Sequence, residues 1–201
     1  GGFGSRLASV IGDKIPKPMA KIAGIPLLEH HVNLCKLHGF TNILILVHHL
    51  HEVIIEHFGN GERFNVKISY HKEVKPRGTA GAILDALPML EDNFIVIYGD
   101  TYLDINLSKF YKSKHDQASV VSFCHPNSHP FDSDLLDIDE DNNIRSVFRP
   151  SRSGEKTYKN IVNAGLYVAS CDLFKKYVPS DGLMDISSEL FPVAIKNNEI
   201  L

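Results

Sequence analysis

Several short constellations in this chain carry residue types able to handle phosphates. The first is Gly1-Gly2-Phe3-Gly4-Ser5-Arg6-Leu7, followed by Pro16-Lys17-Pro18. Glycines let backbone amides approach and wrap a phosphate. Arg6 and Lys17 are cations suited to a triphosphate and to the charge that builds on its phosphoryl oxygens. Two prolines stiffen the loop that carries Lys17. The glycines alone are equally compatible with a loose terminal loop. Two rival phosphate motifs are excluded. No GxxxxGK[ST] run occurs, and the GxGxxG fingerprint fails because Leu7 stands where its third glycine belongs.

A second constellation is Glu73 with Pro76-Arg77-Gly78-Thr79-Ala80-Gly81. A Gly-containing strand-to-helix turn can bring amides against a base, a sugar or a phosphate. The plainer reading is a tight turn with Thr79 as helix cap. The third is Gly99-Asp100, after the apolar run Phe94 to Tyr98. An aspartate at the carboxyl end of a buried strand is placed to hold Mg²⁺ on a phosphate. The plainer reading is a turn residue, which suits the neighbouring Asp104 better than a metal role. The fourth is Asn163-Ala164-Gly165, with Tyr167 beyond. Gly in a strand marks close approach of a ligand or a bulge. Asn offers both donor and acceptor to sugar hydroxyls.

The elements that must position these residues alternate. Pro26 opens a helix with apolar spacing that Gly39 can end. Asn42 to Val47, Val66 to His71, Phe94 to Tyr98 and Ala118 to Cys124 read as strands. Glu52 to Phe58, Gly78 to Leu87 and Leu107 to Lys114 read as helices between them. Strand–helix alternation predicts a mostly parallel sheet covered on both faces. After Cys124 the texture changes to a hairpin, Leu135 to Ile138 and Ile144 to Phe148. A polar loop, a strand over Ile161 to Ala169, and helices near Leu173 to Tyr177 and Ser187 to Lys196 come next.

Bulk properties restrict the rest. A formal charge of -3 and a pI near 6.4 argue against a nucleic-acid surface. No stretch approaches the ~18 apolar residues of a membrane span. Cys35, Cys124 and Cys171 are far apart and make no CxxC. They read as reduced thiols of a cytoplasmic protein. The histidine cluster His48, His49, His51 and His57 reads as surface, and His30-His31 as one exposed and one core-edge residue.

Taken together, the motifs resemble the sugar-1-phosphate nucleotidyltransferases. GGFGSRL…PKP is similar to their signature GGxGTRL…PKP, with Ser5 for Thr. EVKPRGTAG resembles their substrate loop, YGD their metal-binding strand end, and NAG-x-Y their sugar-binding strand. PMAKIAGIPLLEHHV resembles their continuation after PKP, and the text looks closest to the mannose- and heptose-1-phosphate guanylyltransferase branch. The resemblance implies a Rossmann-like three-layer α/β/α sandwich with a mixed, mostly parallel sheet and a small β-rich sugar-binding insertion. It implies one nucleotidyltransferase domain, residues 1–124 for the nucleotide and 125–201 for the sugar, incomplete at both ends.

It also implies roles. Arg6, Lys17 and Asp100 are catalytic, with Asp100 a Mg²⁺ ligand. Gly1, Gly2, Gly4, Ser5, Gly78 and Thr79 line the nucleotide. Asn163 and Gly165 contact the sugar, and Lys156 or Arg149 stands in for the lysine that reaches its phosphate. The expected substrates are a nucleoside triphosphate, GTP by preference, and mannose or heptose 1-phosphate, with no nucleic-acid or membrane partner and with room for a homo-oligomer. Departures from the pattern are plain. No apolar strand precedes GGxG, no second metal aspartate appears, and Phe148-Arg149-Pro150 replaces the usual Glu-Lys-Pro. They keep alive a catalytically silent relative that binds a nucleotide sugar and regulates a partner. A nicotinamide-dependent oxidoreductase is disfavoured by Leu7.

Overall fold

The computed structural model describes residues 15–127, 131, 133–150 and 158–201. These fall into two compact units. One takes the described residues of Gly1–Pro76 with Ile97–Lys112, the other Arg77–Val96 with those of Ser113–Leu201. The units do not follow a single cut in the sequence. Residues 77–96 pack with the later part of the chain, and 97–112 with the earlier part.

The first unit begins with a 3-10 turn, Lys17–Met19, and a small antiparallel pair, β1 (Lys21–Ile22) and β2 (Ile25–Pro26). Ala23 and Gly24 both have positive φ, 50° and 84°, as a two-residue hairpin turn of this hand requires. Pro26 then leads into α1 (Leu27–Leu37), as the sequence predicts. Strand β3 (Asn42–Val47) pairs in parallel with β4 (Lys67–Lys72) from Asn42↔Lys67 to Val47↔Lys72, with α2 (His51–Phe58) between them in sequence. Parallel strands need such a crossover. Val32, Ile45, Val47, Ile54, Phe58, Val66 and Ile68 form the core with Met19 from the opening turn. The α4 segment (Leu107–Tyr111) also belongs here. It starts at Asn106, whose side chain accepts from the Lys109 amide at 2.8 Å.

In the second unit, α3 (Gly78–Ala86) precedes β5 (Asn93–Ile97), of which residues 93–96 belong to this unit. The spine is β9 (Ile161–Ser170), buried from Ala164 to Ala169. It pairs antiparallel with β6 (Val120–Pro126), and the sheet order runs β5, β9, β7 (Leu135–Ile138), β8 (Ile144–Phe148). The fold is therefore α/β with mixed sheets. Parallel character resides in β3 and β4, while the β6–β9, β7–β8 and β7–β9 pairs are antiparallel.

The predicted helix over 187–196 is two pieces. Ile186–Leu190 is a π turn, and α6 (Phe191–Lys196) continues from it. Pro192 has no amide proton and cannot continue an α-helical ladder back into the preceding turn. The predicted helix over 173–177 starts earlier, as α5 (Cys171–Tyr177). Glu199 is stitched in place. Glu199 accepts from Lys176 and Tyr177, each at 2.7 Å, and from the Ser119 hydroxyl. Those donors, Lys176 first, hold its carboxyl down at about 2. The three cysteines are free thiols, and burial pushes Cys35 up to about 11. Among the described residues no helix is long and apolar enough to cross a membrane.

Candidate functional site

In the first unit the fold joins two motifs that are remote in sequence. Lys17 Nζ lies 3.7 Å from Asp100 Oδ2, with side chains 27% and 49% exposed. Lys17 is held by its turn, in which the Met19 amide donates to Pro16 O at 2.8 Å and the Ala20 amide to Lys17 O at 3.0 Å. Met19 is buried and anchors that turn in the core. Gly99 is needed for a packing reason. A Cβ there would stand 2.9 Å from Pro18 Cγ, so the proline ring rests on the glycine backbone. The two prolines of Pro16-Lys17-Pro18 and the glycine of Gly99-Asp100 thus set one cation against one carboxylate.

His31 steadies the other side of Asp100. It is buried, at 4% exposure, and its Nε2 donates to the Thr101 carbonyl at 2.6 Å. Sequence reading left open which of His30 and His31 faced inward. His31 does, while His30 Nε2 bonds the Ile22 carbonyl at the surface. Burial pushes the His31 imidazole below its usual 6.5, with the Thr101 bond and Asp100 opposing and His30 assisting. Folded His31 therefore binds fewer protons than unfolded His31 near that pH. Stability rises with pH wherever the unfolded state holds more protons, so this contribution is lost as pH falls through 6.5. His31→Gln keeps a donor for Thr101 but cannot titrate. Its melting temperature is expected to fall less than wild type between about pH 7.5 and about pH 5.5. Parallel melting curves would remove His31 as the cause.

A depression of about 650 Å³ opens at the carboxyl ends of β3 and β4. His48, His49, His51, Lys72 and Glu73 are among its lining residues. Open α/β sheets collect ligands at this end. Leu50 sits here with φ 55°, an uncommon value for a side chain of that size. His48 Nδ1 meets the Glu73 carbonyl at 3.1 Å, and Glu73 itself is 3% exposed. Among the described residues no group of three or more His, Cys, Asp or Glu is arranged to hold a metal ion.

In the second unit the Gly78-Thr79 turn is built differently from the plain cap. Arg77 is the residue before α3, and no side chain of its own caps the helix. Thr79 donates its amide (3.1 Å) and hydroxyl (3.0 Å) to Asp185 Oδ1, and its hydroxyl accepts from the Ile186 amide at 2.9 Å. The amides of Ala80 and Gly81 donate to Met184 O at 2.9 and 3.4 Å. Thr79 is thus a member of a cap supplied by residues 184–186. Gly78 has φ 72°, and a Cβ would stand 2.4 Å from Met184 O. Arg77 braces the same turn through Gly182 O (3.2 Å), Pro179 O (2.6 Å) and Asp85.

Asn163 and Gly165 also lie in this unit, on β9. Asn163 Oδ1 accepts from the Gly165 amide (3.0 Å) and the Tyr167 hydroxyl (2.6 Å), and Nδ2 donates to Ser187 Oγ (2.9 Å). An amide group has two acceptor sites and two donors. Three of the four are used among the described residues. Gly165 has φ 69°, where glycine carries no steric cost. Arg149 bonds Asp134 through Nε (3.1 Å) and NH2 (2.9 Å). Gly1, Gly2, Gly4, Ser5, Arg6 and Lys156 lie outside the described residues. Asp185 and Ser187 are the residues that sequence reading passed over. Their partners are too far along the chain to leave a local signal.

The model of the nucleotidyl transferase family matches residues 1–200. The chain belongs to that family. A relative of this nucleotidyltransferase, the D-glycero-alpha-D-manno-heptose 1-phosphate guanylyltransferase of Campylobacter jejuni, is 34% identical over 88% of this chain and 76% of its own length. The UTP–glucose-1-phosphate uridylyltransferase of Synechocystis is 29% identical over 95% of this chain. This nucleotidyltransferase spans only 52% of that second relative. Among solved structures, HddC from Yersinia pseudotuberculosis complexed with GMP-PN superposes with a TM-score of 0.78 at 30% identity, over 96% of this chain and 82% of its own.

Proposed function

We propose that this nucleotidyltransferase joins a nucleoside triphosphate to a sugar 1-phosphate, giving a nucleotide-diphospho-sugar and pyrophosphate. The observation that carries the reading is the Lys17–Asp100 pair, in which two signature motifs of the family come within 3.7 Å. GTP with mannose or heptose 1-phosphate is the preferred pairing. The named activities of the Campylobacter relative and of a mannose-1-phosphate guanyltransferase from Emericella nidulans, 26% identical over all of this chain, support it. The uridylyltransferase relative is why the base needs a direct test.

In this reading residues 1–124 serve the nucleotide and 125–201 the sugar, in a cytoplasmic protein that acts alone or as a homo-oligomer. Arg6 and Lys17 neutralise the phosphates, with Gly1, Gly2, Gly4 and Ser5 wrapping them. Gly78 and Thr79 border the nucleotide, held by Asp185 and Met184. Asn163 offers an amide N–H to a sugar hydroxyl, Gly165 lets the sugar approach the backbone, and Lys156 meets its phosphate. Asp100 suits Mg²⁺ because that ion takes one or two carboxylates and keeps substrate oxygens as its other ligands. A half-exposed carboxylate at a strand end meets the requirement. When bound, the ion withdraws charge from phosphate oxygens.

The sugar phosphate oxygen attacks the α-phosphorus in line. A phosphorus–oxygen bond forms there as the bond to the β-phosphate oxygen breaks, and pyrophosphate leaves with that electron pair. No side chain acts as nucleophile. The residues supply position and charge. The test is pyrophosphate release with Mg²⁺, crossing four nucleoside triphosphates with mannose, heptose, glucose and N-acetylglucosamine 1-phosphates. Release with one pair names the substrates. Silence across the grid in folded protein would overturn the preferred substrate pairing and favour the regulatory relative or a sugar outside the panel.

A further inference from the structure

We infer that Lys17 guards Asp100 against bare divalent ions, so that the metal loads together with the nucleotide. This rests on the assignment of Asp100 as the metal's carboxylate. The ammonium of Lys17 stands 3.7 Å from Asp100 Oδ2, where a cation would bind. The position is built. Pro16 and Pro18 flank the lysine, the turn is closed by two backbone bonds, and Pro18 seats on Gly99 immediately before Asp100. His31 fixes the far side of the same turn through the Thr101 carbonyl at 2.6 Å. These packed groups fix the two backbones, while the exposed ends of the Lys17 and Asp100 side chains stay free to change partners.

Charge sets the order of binding. Lys17 and Asp100 together present no net charge, so an approaching bare ion finds its carboxylate already answered. It also meets a like charge at short range. A triphosphate changes both terms. Its oxygens offer Lys17 a stronger partner than one carboxylate, since a charge-assisted bond to phosphate gains from several acceptor oxygens. Lys17 then turns to the phosphates, and Asp100 is released to the ion that arrives on them. Ion and nucleotide binding are therefore coupled with positive sign, and by linkage each tightens the other equally. Both side chains are exposed enough for this exchange to need no opening of the core.

The test uses Mn²⁺ alone as the probe, followed by its electron paramagnetic resonance signal, with wild type, Lys17→Gln, Lys17→Arg and Asp100→Asn. Lys17→Gln is expected to bind Mn²⁺ up to about five-fold more tightly than wild type, the range of an exposed ion pair. Lys17→Arg keeps the charge and is expected to match wild type. Asp100→Asn is expected to lose the site. Adding a non-reacting α,β-methylene nucleoside triphosphate is expected to tighten Mn²⁺ binding more in wild type than in Lys17→Gln. Equal or weaker Mn²⁺ binding by folded Lys17→Gln without nucleotide overturns the inference, as does unchanged binding by Asp100→Asn. No sugar or turnover enters these measurements. An inactive protein with the expected Mn²⁺ pattern would thus refute the proposed reaction and leave the guard standing.

Discussion

Asp100→Asn is expected to lower turnover by about a thousandfold while leaving the fold intact. The carboxylate is 49% exposed, and its ion pair with Lys17 is a surface pair at 3.7 Å. Such pairs contribute about 0–1 kcal/mol, so the melting temperature should move by only about 1–3 °C. Asparagine keeps the shape and removes the charge that would hold a cation against phosphate oxygens. Stabilisation of that kind is worth several kcal/mol, and each 1.36 kcal/mol is tenfold in rate, which gives about three orders of magnitude. Steady-state kinetics beside a thermal melt would separate the two effects. Turnover within tenfold of wild type would remove Asp100 from the chemistry.

Gly78→Ala should act in the opposite sense, through stability first. At φ 72° a side chain costs about 1–2 kcal/mol from conformation alone. The new Cβ would also stand 2.4 Å from a backbone oxygen, Met184 O, which cannot swing aside as a side chain can. Displacing that carbonyl disturbs the bonds from Ala80 and Gly81. Overpacking of this sort adds about 1–3 kcal/mol. The sum is about 3 kcal/mol, or about 10 °C in melting temperature for a chain of this length. Gly182→Ala makes a sharp comparison. Its φ is 112° but nothing lies within 4 Å of the added carbon, so only the conformational part should be felt. Equal losses at the two positions would show that contact with Met184 is not the cause.

Much of this fold is legible from local patterning. The apolar run Ile161 to Ala169 is a strand buried on both faces from Ala164 onward, while Asn42 to Val47 buries Ile45 and Val47 on one face and leaves Leu44 and Leu46 half-buried on the other. Pro26 and Gly39 mark the helix they bracket because one lacks an amide proton and the other accepts a φ of 82°. What could not be read depends on distant residues. Ala23 takes a positive φ, which its own side chain disfavours, because strands on both sides need that turn. The cap of α3 comes from Asp185, to which no motif near Thr79 points. Lys17 and Asp100 were each singled out by a separate motif, and their pairing was not. Pro18 resting on Gly99 is the packing detail that joins them, and glycine at 99 gave no hint of it beyond its small size.

The borrowed cap of α3 also has a bearing on how this protein is made. Thr79 and Asp185 are 106 residues apart. At about 5–20 residues per second, a ribosome needs about 5–20 s to add that stretch. Throughout that interval the opening amides of α3 have only water to bond. A helix of nine residues is marginal without its tertiary partners. Arg77, Gly78 and Thr79 therefore take their final shape only when residues 184–186 have left the ribosome. A nascent chain stalled before residue 185 would leave this turn uncapped and more readily cut by proteases than the folded turn.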